Sequence, residues 1–598
     1  MMTINHLLIS ASLFFNHFFS NIPNKMIKIN NVIVKPTFKA TDVNKMLLSI
    51  NNLLSLFLYY TINFIFSSEL TLDKNNLVFF VFYYKIIAKS VKIDLHFERY
   101  EYMDKDHHLT PFYTKLLEYA NSDVVAHDVP GHKLGKLNND MMLFTGPQMY
   151  QLDANAPRGL DNLNRPTGVI SEAAELMADA FGAEKAYFLT GGTTMGILSM
   201  IMSVCRAKEK IILPRNVHKS AINALILSGA VPIFVKPDID NELGIANHMV
   251  FEDVEKAILE NPDAKAVLVI NPTYFGVTSD LKKIVELAHE KDMMVLADEA
   301  HGSHFPFSDL LPIGSMEAGA DMGSCSLHKT VGSLTQSSIL ITQGSRVDHI
   351  RLRSTINMIQ STSPSSLLMA SLDVARKNIY FEGPVKIPAL IKMAEETRNK
   401  ISLIPGLQAI GKDHFIGRNA FNYDETKIIV KVSEMGLTGF DVYKELFDEH
   451  HIQLELAETQ LILAVLSIGT RQKDLDALVI ALQALSDKYM PMQMAPIKSK
   501  VKYSFPEAYT RPREAYHAPK KYVPLNQAVD EIAAESIMIY PPGIPIVIPG
   551  EIVSQDILDD LDFYQRSGSV ILSDTEGGYI KIIDKEYWEK WSELYEDE

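Results

Sequence analysis

KAVLVINPTYFGVTSDLKKIVELAHEKDMMVLADEAHG, Lys265 to Gly302, holds the unit from which the fold follows. Its first run, KAVLVINP, is short and apolar at nearly every position, and so is its last, MMVLADEA (Met293 to Ala300). Between them, DLKKIVELAHEK carries apolar residues at i, i+3, i+4 and i+7, the spacing of one helix face. A strand that is apolar throughout is buried on both faces, so strand, amphipathic helix and strand in succession predict a parallel sheet with helices on each side. The alternation extends outward from Glu184 to Ile341. AYFLT (Ala186 to Thr190) leads through GGTTMG into the apolar helix ILSMIMSVC; KIILP precedes the helical HKSAINALILSG; VPIFVKP is the next strand. Ligands of such sheets sit at the carboxyl ends of the strands, so the chemistry is expected there.

Around Phe381 to Pro384 (FEGP) the pattern changes to a long helix, PALIKMAEETRNKISLI, then to strands KIIVKVS and LILAVLS with the helix DVYKELFDEH between them. Prolines and methionines crowd the stretch from Tyr489 to Pro524, which marks a boundary or an extended arm. The last block, with YPPGIPIVIPGE, has short strands and turns and an acidic amphipathic end. The expected organisation is an α/β major domain over 103–380, a small α+β domain over 381–490 and an α+β C-terminal domain over 491–598.

Residues 1–102 differ from the rest in kind. They contain no glycine, cysteine or tryptophan and a single arginine, Arg99, whereas all 30 glycines lie at or after Gly131. Ten basic and six acidic residues give this stretch +4, which leaves −20 of the chain's −16 total to the remainder. The run Met46 to Phe66 is long enough to span a bilayer, although Asn51, Asn52 and Asn63 weaken it. The residue types are those of AT-rich codons, and Met103 opens an ordinary amphipathic start, so the extension is expected not to belong to the native protein. The acidity of the remainder argues against a general affinity for nucleic acid or anionic membrane and suits a cationic substrate. Two cysteines, Cys205 and Cys325, are too few for a disulfide framework, which makes the cytoplasm the default compartment.

Three segments carry chemistry. SCSLHKTVGSLTQSS, Ser324 to Ser338, sets a lysine, Lys329, after histidine and serine and before small hydroxylated residues. A lysine that attacks an aldehyde must be partly desolvated, and hydroxyls beside it suit a phosphate; by itself the segment also fits a surface lysine in a Ser/Thr-rich loop. TGGTTMG, Thr190 to Gly196, stands between strand and helix, so backbone N–H groups and the Thr193 and Thr194 hydroxyls can cradle an anion, although such turns are often only structural. ADEAHG, Ala297 to Gly302, ends an apolar strand with two carboxylates. A buried acid needs a cationic or hydrogen-bonded partner, and a protonated pyridine nitrogen is one; a helix cap or salt bridge is another.

Phosphate cradle, strand-end aspartate and lysine, in that order, resemble the fold-type I pyridoxal-phosphate (PLP) enzymes. The run Ser324 to Ser338, with VPGHK (Val129 to Lys133), PRNVHKS (Pro214 to Ser220), NPTYFG (Asn271 to Gly276) and YPPGIPIVIPGE (Tyr540 to Glu551), is similar to the Orn/Lys/Arg decarboxylase family, most of all to its short bacterial arginine decarboxylases. The resemblance covers Met103 to the C-terminus. It implies PLP on Lys329 as a Schiff base, Asp298 against the pyridine nitrogen, His218 stacked on the ring, Ala300 against the ring, and Thr193, Thr194, Ser326 and His328 at the phosphate. His218 fits equally a cap of the following helix. His301 is implied near the phenolic oxygen, and the Cys325 side chain is expected to alternate away from the cofactor. No metal is implied. The implied reaction is decarboxylation of a basic amino acid, arginine first, lysine second and ornithine third. A same-fold aminotransferase and a catalytically silent, membrane-tethered relative are the alternatives. The substrate's distal cation needs an acid, for which Glu551, Asp153, Asp161 and Glu535 are candidates. The fold type implies a homodimer or larger homo-oligomer, with the PGHK and Asp153 to Gly168 loops contributing across the interface.

Overall fold

The computed structural model describes residues 105–137, 139–418, 420–498, 505–540 and 543–588. The extension 1–102, with its apolar run Met46 to Phe66, lies outside the described residues. Among those described, no helix is long and apolar enough to cross a membrane.

The apolar runs form a seven-stranded sheet: β1 (Lys185–Leu189), β2 (Lys210–Pro214), β3 (Val231–Val235), β4 (Ala266–Ile270), β5 (Met294–Glu299), β6 (Met322–Cys325) and β7 (Ser338–Thr342). Their order is β1-β7-β6-β5-β4-β2-β3. All pairings from β6 to β3 are parallel, and β7 alone is antiparallel to its neighbours β1 and β6. The continuous apolarity of these strands has a direct cause, because alternate residues enter different cores. In β4, Ala266 and Leu268 pack with Met200 and Leu225, from helices α1 (Gly192–Val204) and α2 (Lys219–Ser228). Val267 and Val269 pack with Ile284 and Ala288 of α3 (Leu281–Glu290) on the other face.

The helix expected after FEGP begins earlier. It runs unbroken as α4, Ser366–Ser402, through the expected boundary at 380/381, with Pro384 and Pro388 inside it. Each proline removes a donor to the carbonyl four residues back. Pro384 is exposed and Pro388 partly so, which puts both breaks on the helix face nearer water. Gly383 is dictated by contact: a Cβ there would stand 2.8 Å from Phe307 Cβ.

Beyond α4 lies a four-stranded antiparallel sheet of order β8-β9-β11-β10, from β8 (Gln408–Ile410), β9 (Lys427–Lys431), β10 (Leu456–Ala457) and β11 (Leu461–Val465). One face packs on α5 (Gly439–His450) and α6 (Gln472–Tyr489) through Ile428, Val430 and Ile462. The other, with Ile429, Leu456 and Leu463, packs against Phe275 and Tyr423. The C-terminal block has a three-stranded sheet from Ile537–Tyr540, Ile544–Val547 and Val570–Leu572, and a ribbon of Lys520–Pro524 with Tyr579–Ile583.

Candidate active site

A cavity of about 330 Å³ opens at the carboxyl ends of the central strands. Thr193, Thr194, His218, Asp298, Ala300, Ser326, His328 and Lys329, all eight of the expected residues, line it.

Each is delivered by a strand end or the turn behind it. After β1, Gly191 and Gly192 turn the chain into α1; Gly192 has φ +73°, and its N–H donates to Gln336 O (2.9 Å). Gly196, the third glycine of TGGTTMG, serves packing instead, since a Cβ there would fall 1.9 Å from Ser324 Oγ on β6. This close approach lets the first turn of α1 meet the segment after β6, where Thr193 Oγ1 and Ser326 Oγ are 2.5 Å apart. These two hydroxyls stand at the positive end of a 13-residue helix, where negative charge is favoured. His328 Nδ1–H donates to Ser337 O (2.9 Å), and burial lowers its pKa.

Lys329 sits in the short helix Leu327–Thr330, with Nζ 2.9 Å from His301 Nε2 and 5.2 Å from the Tyr274 ring centroid. Burial lowers the lysine's pKa, with the Asp298 and Glu455 charges pulling the other way. Burial and the Lys329 charge hold His301 well below the usual histidine range, so its neutral Nε2 accepts from Lys329. His301 Nδ1 is buried and has no partner among the described residues. Asp298 accepts the Ala300 N–H (3.1 Å), and burial raises its pKa. His218 caps α2, one of the two readings made of it, and also lines the cavity. Its Nδ1 accepts the Ser220 N–H (3.2 Å). Burial and two nearby lysine charges lower its pKa to about 4, so the ring is neutral near pH 7.

The second strand-end acid points the other way. Glu299 is held by Asn271 Nδ2 (3.1 Å), the Ser315 N–H (2.7 Å), the Ser315 hydroxyl and Cys325 Sγ (3.7 Å). Cys325 thus alternates away from the cavity, as expected.

None of the four acids expected to meet the substrate lines this cavity. Glu551 is bidentate with Arg215, at 2.8 and 2.7 Å, and accepts the Ile548 N–H. Asp161 accepts backbone N–H groups of Asn162, Thr167, Gly168 and Ile170. Asp153 pairs with His132 (3.2 Å), and Glu535 accepts Asp574 N–H, Lys581 N–H and the Thr575 hydroxyl. Each closes a loop or a buried pair, a role that spacing along the chain does not reveal. Conversely, Tyr274, Asn216, Gln336 and Ile544 line the cavity without having been assigned a role; NPTYFG, PRNVHKS, the run Ser324 to Ser338 and YPPGIPIVIPGE were the available signals for them.

The residues fit PLP on grounds internal to this chain: a desolvated lysine, a buried carboxylate with one backbone partner among the described residues, an unpaired buried His301 Nδ1 and a hydroxyl-lined helix N-terminus surround one cavity. A mainly parallel sheet with these groups at its strand ends defines the class, a fold-type I PLP enzyme. The chain belongs to the Orn/Lys/Arg decarboxylase family: the family's major domain matches residues 110–474 and its C-terminal domain residues 495–571. Arginine decarboxylase of Bacillus subtilis (strain 168) is 44% identical over 451 residues, 75% of this chain and 92% of that protein. Arginine decarboxylase of Halalkalibacterium halodurans is 43% identical, covering 77% of this chain and 94% of its own. Among solved structures, the Francisella novicida lysine decarboxylase LdcF has the same fold, with a TM-score of 0.70 at 21% identity over 80% of this chain and 81% of that one.

Proposed function

We propose that this enzyme converts L-arginine and a proton to agmatine and CO2. The choice of arginine rests on one contrast: four relatives named arginine decarboxylase, from Bacillus and Halalkalibacterium, are 42–44% identical over most of their length, whereas the lysine decarboxylases of Pseudomonas aeruginosa and Escherichia coli are 24% and 22% identical and the biodegradative arginine decarboxylase of Escherichia coli is 26% identical over 301 residues.

Lys329 would hold the cofactor. Thr193, Thr194, Ser326 and His328 would hold its phosphate, Asp298 would face the pyridine nitrogen, and His218 and Ala300 would bound the ring. When bound, PLP supplies the electron sink for the pair left by the departing carboxylate. The chain's own groups do the rest. Desolvation makes a neutral Lys329 amine accessible, and the neutral His301 Nε2 holds its hydrogen bond while charge on the lysine changes. Burial raises the Asp298 pKa, so a cationic ring nitrogen facing it would draw the carboxyl into its charged form, and in a dry wall that pairing would act strongly. His218 offers a flat, uncharged face.

The proposal extends to assembly: a homodimer, supported by the exposed apolar side chains of Val125, Val129, Leu143 and Phe144, the last 93% exposed, close in sequence to the PGHK loop. It retains three domains, 103–380, 381–490 and 491–598, and a reducing compartment, supported by two buried free cysteines. The decisive experiment measures CO2 and amine released from arginine, lysine and ornithine by the PLP-supplemented enzyme. Agmatine should form with kcat/KM at least tenfold above the other two substrates. Equal or greater rates on lysine, or a keto acid in place of CO2, would overturn the reading.

A further inference from the structure

A second cavity of about 90 Å³ adjoins the first; Asn216, Ala246, Phe275 and Ile544 line both. Glu458, only 7% exposed, lines the smaller one. Its position is built in. Glu458 N–H donates to Leu461 O (2.8 Å) and Leu461 N–H returns to Glu458 O (3.3 Å), so Thr459 and Gln460 form a two-residue turn between β10 and β11. The tip is fastened from two sides, by Gly439 N–H to Thr459 O (3.0 Å) and Val432 N–H to Gln460 O (2.9 Å). Polar hairpin tips ordinarily face water, where their groups are satisfied. Here Glu458, Thr459 and Gln460 are all buried, and Glu458 Oε2 has no partner among the described residues.

Asn216 lines both cavities, and its Oδ1 is also buried with no partner among the described residues. Its orientation is determined, because Asn216 Nδ2 donates to Asn247 O (2.9 Å) and leaves Oδ1 as an acceptor. Two unsatisfied acceptors in a buried site call for a ligand that only donates. The cation already present in the wall does not serve, since Arg215 is matched by Glu551 and by the carbonyls of Pro545 and Ile546. Phe275, Ala246 and Ile544 line both cavities with apolar surface, which suits the methylenes of a long cationic side chain. Burial raises the Glu458 pKa to about 8, against the Thr459 backbone N–H, so a cation arriving there replaces a proton.

We infer that Glu458, with Asn216 Oδ1, receives the distal guanidinium of the substrate and sets the enzyme's preference for arginine. The inference rests on the proposed arginine decarboxylation. Guanidinium presents five N–H donors in a planar fork and no acceptor, the complement of this pair.

The test compares PLP-loaded parent, Glu458→Gln and Glu458→Asp, using turnover of arginine and of its uncharged isostere citrulline, and calorimetric binding of agmatine. Glu458→Gln should keep the visible absorbance of bound cofactor, raise KM for arginine about 100-fold with a smaller change in kcat, weaken agmatine to a similar extent, and narrow the discrimination between arginine and citrulline. Glu458→Asp should recover part of each. Arginine KM and agmatine affinity within twofold of the parent in Glu458→Gln would overturn the inference, as would equal losses on arginine and citrulline. If the parent releases no CO2 from arginine, the proposed function fails by itself. Glu458 is then judged on agmatine binding alone: weaker binding to Glu458→Gln supports it, and unchanged or absent binding to the parent refutes it.

Discussion

Asp298 and Glu299 end the same strand, both buried, one on each face, and their surroundings differ sharply. Glu299 faces the core and is held by Asn271, Ser315 and Cys325. Asp298 faces the cavity and, among the described residues, accepts only the Ala300 N–H. Burial raises the pKa of both. On the core face each acceptor is used up in holding the fold; on the cavity face charge is kept in reserve at a cost in stability.

This contrast can be broken at several points. The largest effect is expected at Lys329. Lys329→Ala should abolish turnover by several orders of magnitude and remove the borohydride-sensitive visible absorbance of the loaded enzyme, while the melting temperature without cofactor stays level or rises. Trapping of cofactor on another lysine would remove the assignment. Asp298→Asn should cost about a thousandfold or more in turnover with PLP still bound, and should not lower apo-protein stability, because a buried charge is relieved. Near-normal turnover would mean that another acid faces the ring nitrogen.

The core face should behave in reverse. Glu299→Ala leaves the Ser315 N–H, the Ser315 hydroxyl and one hydrogen of the Asn271 amide without their acceptor, so unfolding free energy should fall by about 3 kcal/mol or more, while turnover per folded molecule stays within severalfold of the parent. The mildest change, Glu299→Gln, sharpens the comparison through pH. Burial raises Glu299 from 4.5 to about 7, so between these values the unfolded chain has released a proton that the folded chain keeps. Stability of the parent must therefore fall as pH rises from 4.5 to 7, by about 3 kcal/mol relative to Glu299→Gln, and run level above that. Denaturant midpoints at pH 5 and pH 8 measure it, and parallel behaviour of the two proteins would contradict the assigned burial cost.

The strands and the cofactor wall were legible in the sequence because both are written locally. β4 and β5 are apolar at consecutive positions, Thr193 and Lys329 each follow a strand within a few residues, and Asp298 stands next to last in β5. The acid for the substrate was not legible, because its identity depends on partners far along the chain. Glu551 is claimed by Arg215, 336 residues away, whereas Glu458 sits in AETQ, which by composition is an ordinary exposed turn. FEGP misled for a related reason. Glycine and proline are helix breakers on average, but here Gly383 meets Phe307 and Pro384 faces solvent, so neither breaks α4.

Helix α4 also acts as a lever. Its N-terminal part, through Met369, Leu372 and Ile379, is embedded in the core beneath the seven-stranded sheet, and its C-terminal part, through Leu390, Ala394 and Ile401, in the core of the small sheet that carries Glu458. A continuous helix clamped at both ends can swing one core against the other only by bending along its own length. Two rungs of the amide ladder are missing between Tyr380 and Pro388, yet Ile379, Ile387 and Ile391 hold both ends of that stretch in the same core, so the helix stays clamped there. The two cores meet along α4 itself, and a substitution on this helix would be felt at the β10–β11 hairpin without touching any residue that lines the site.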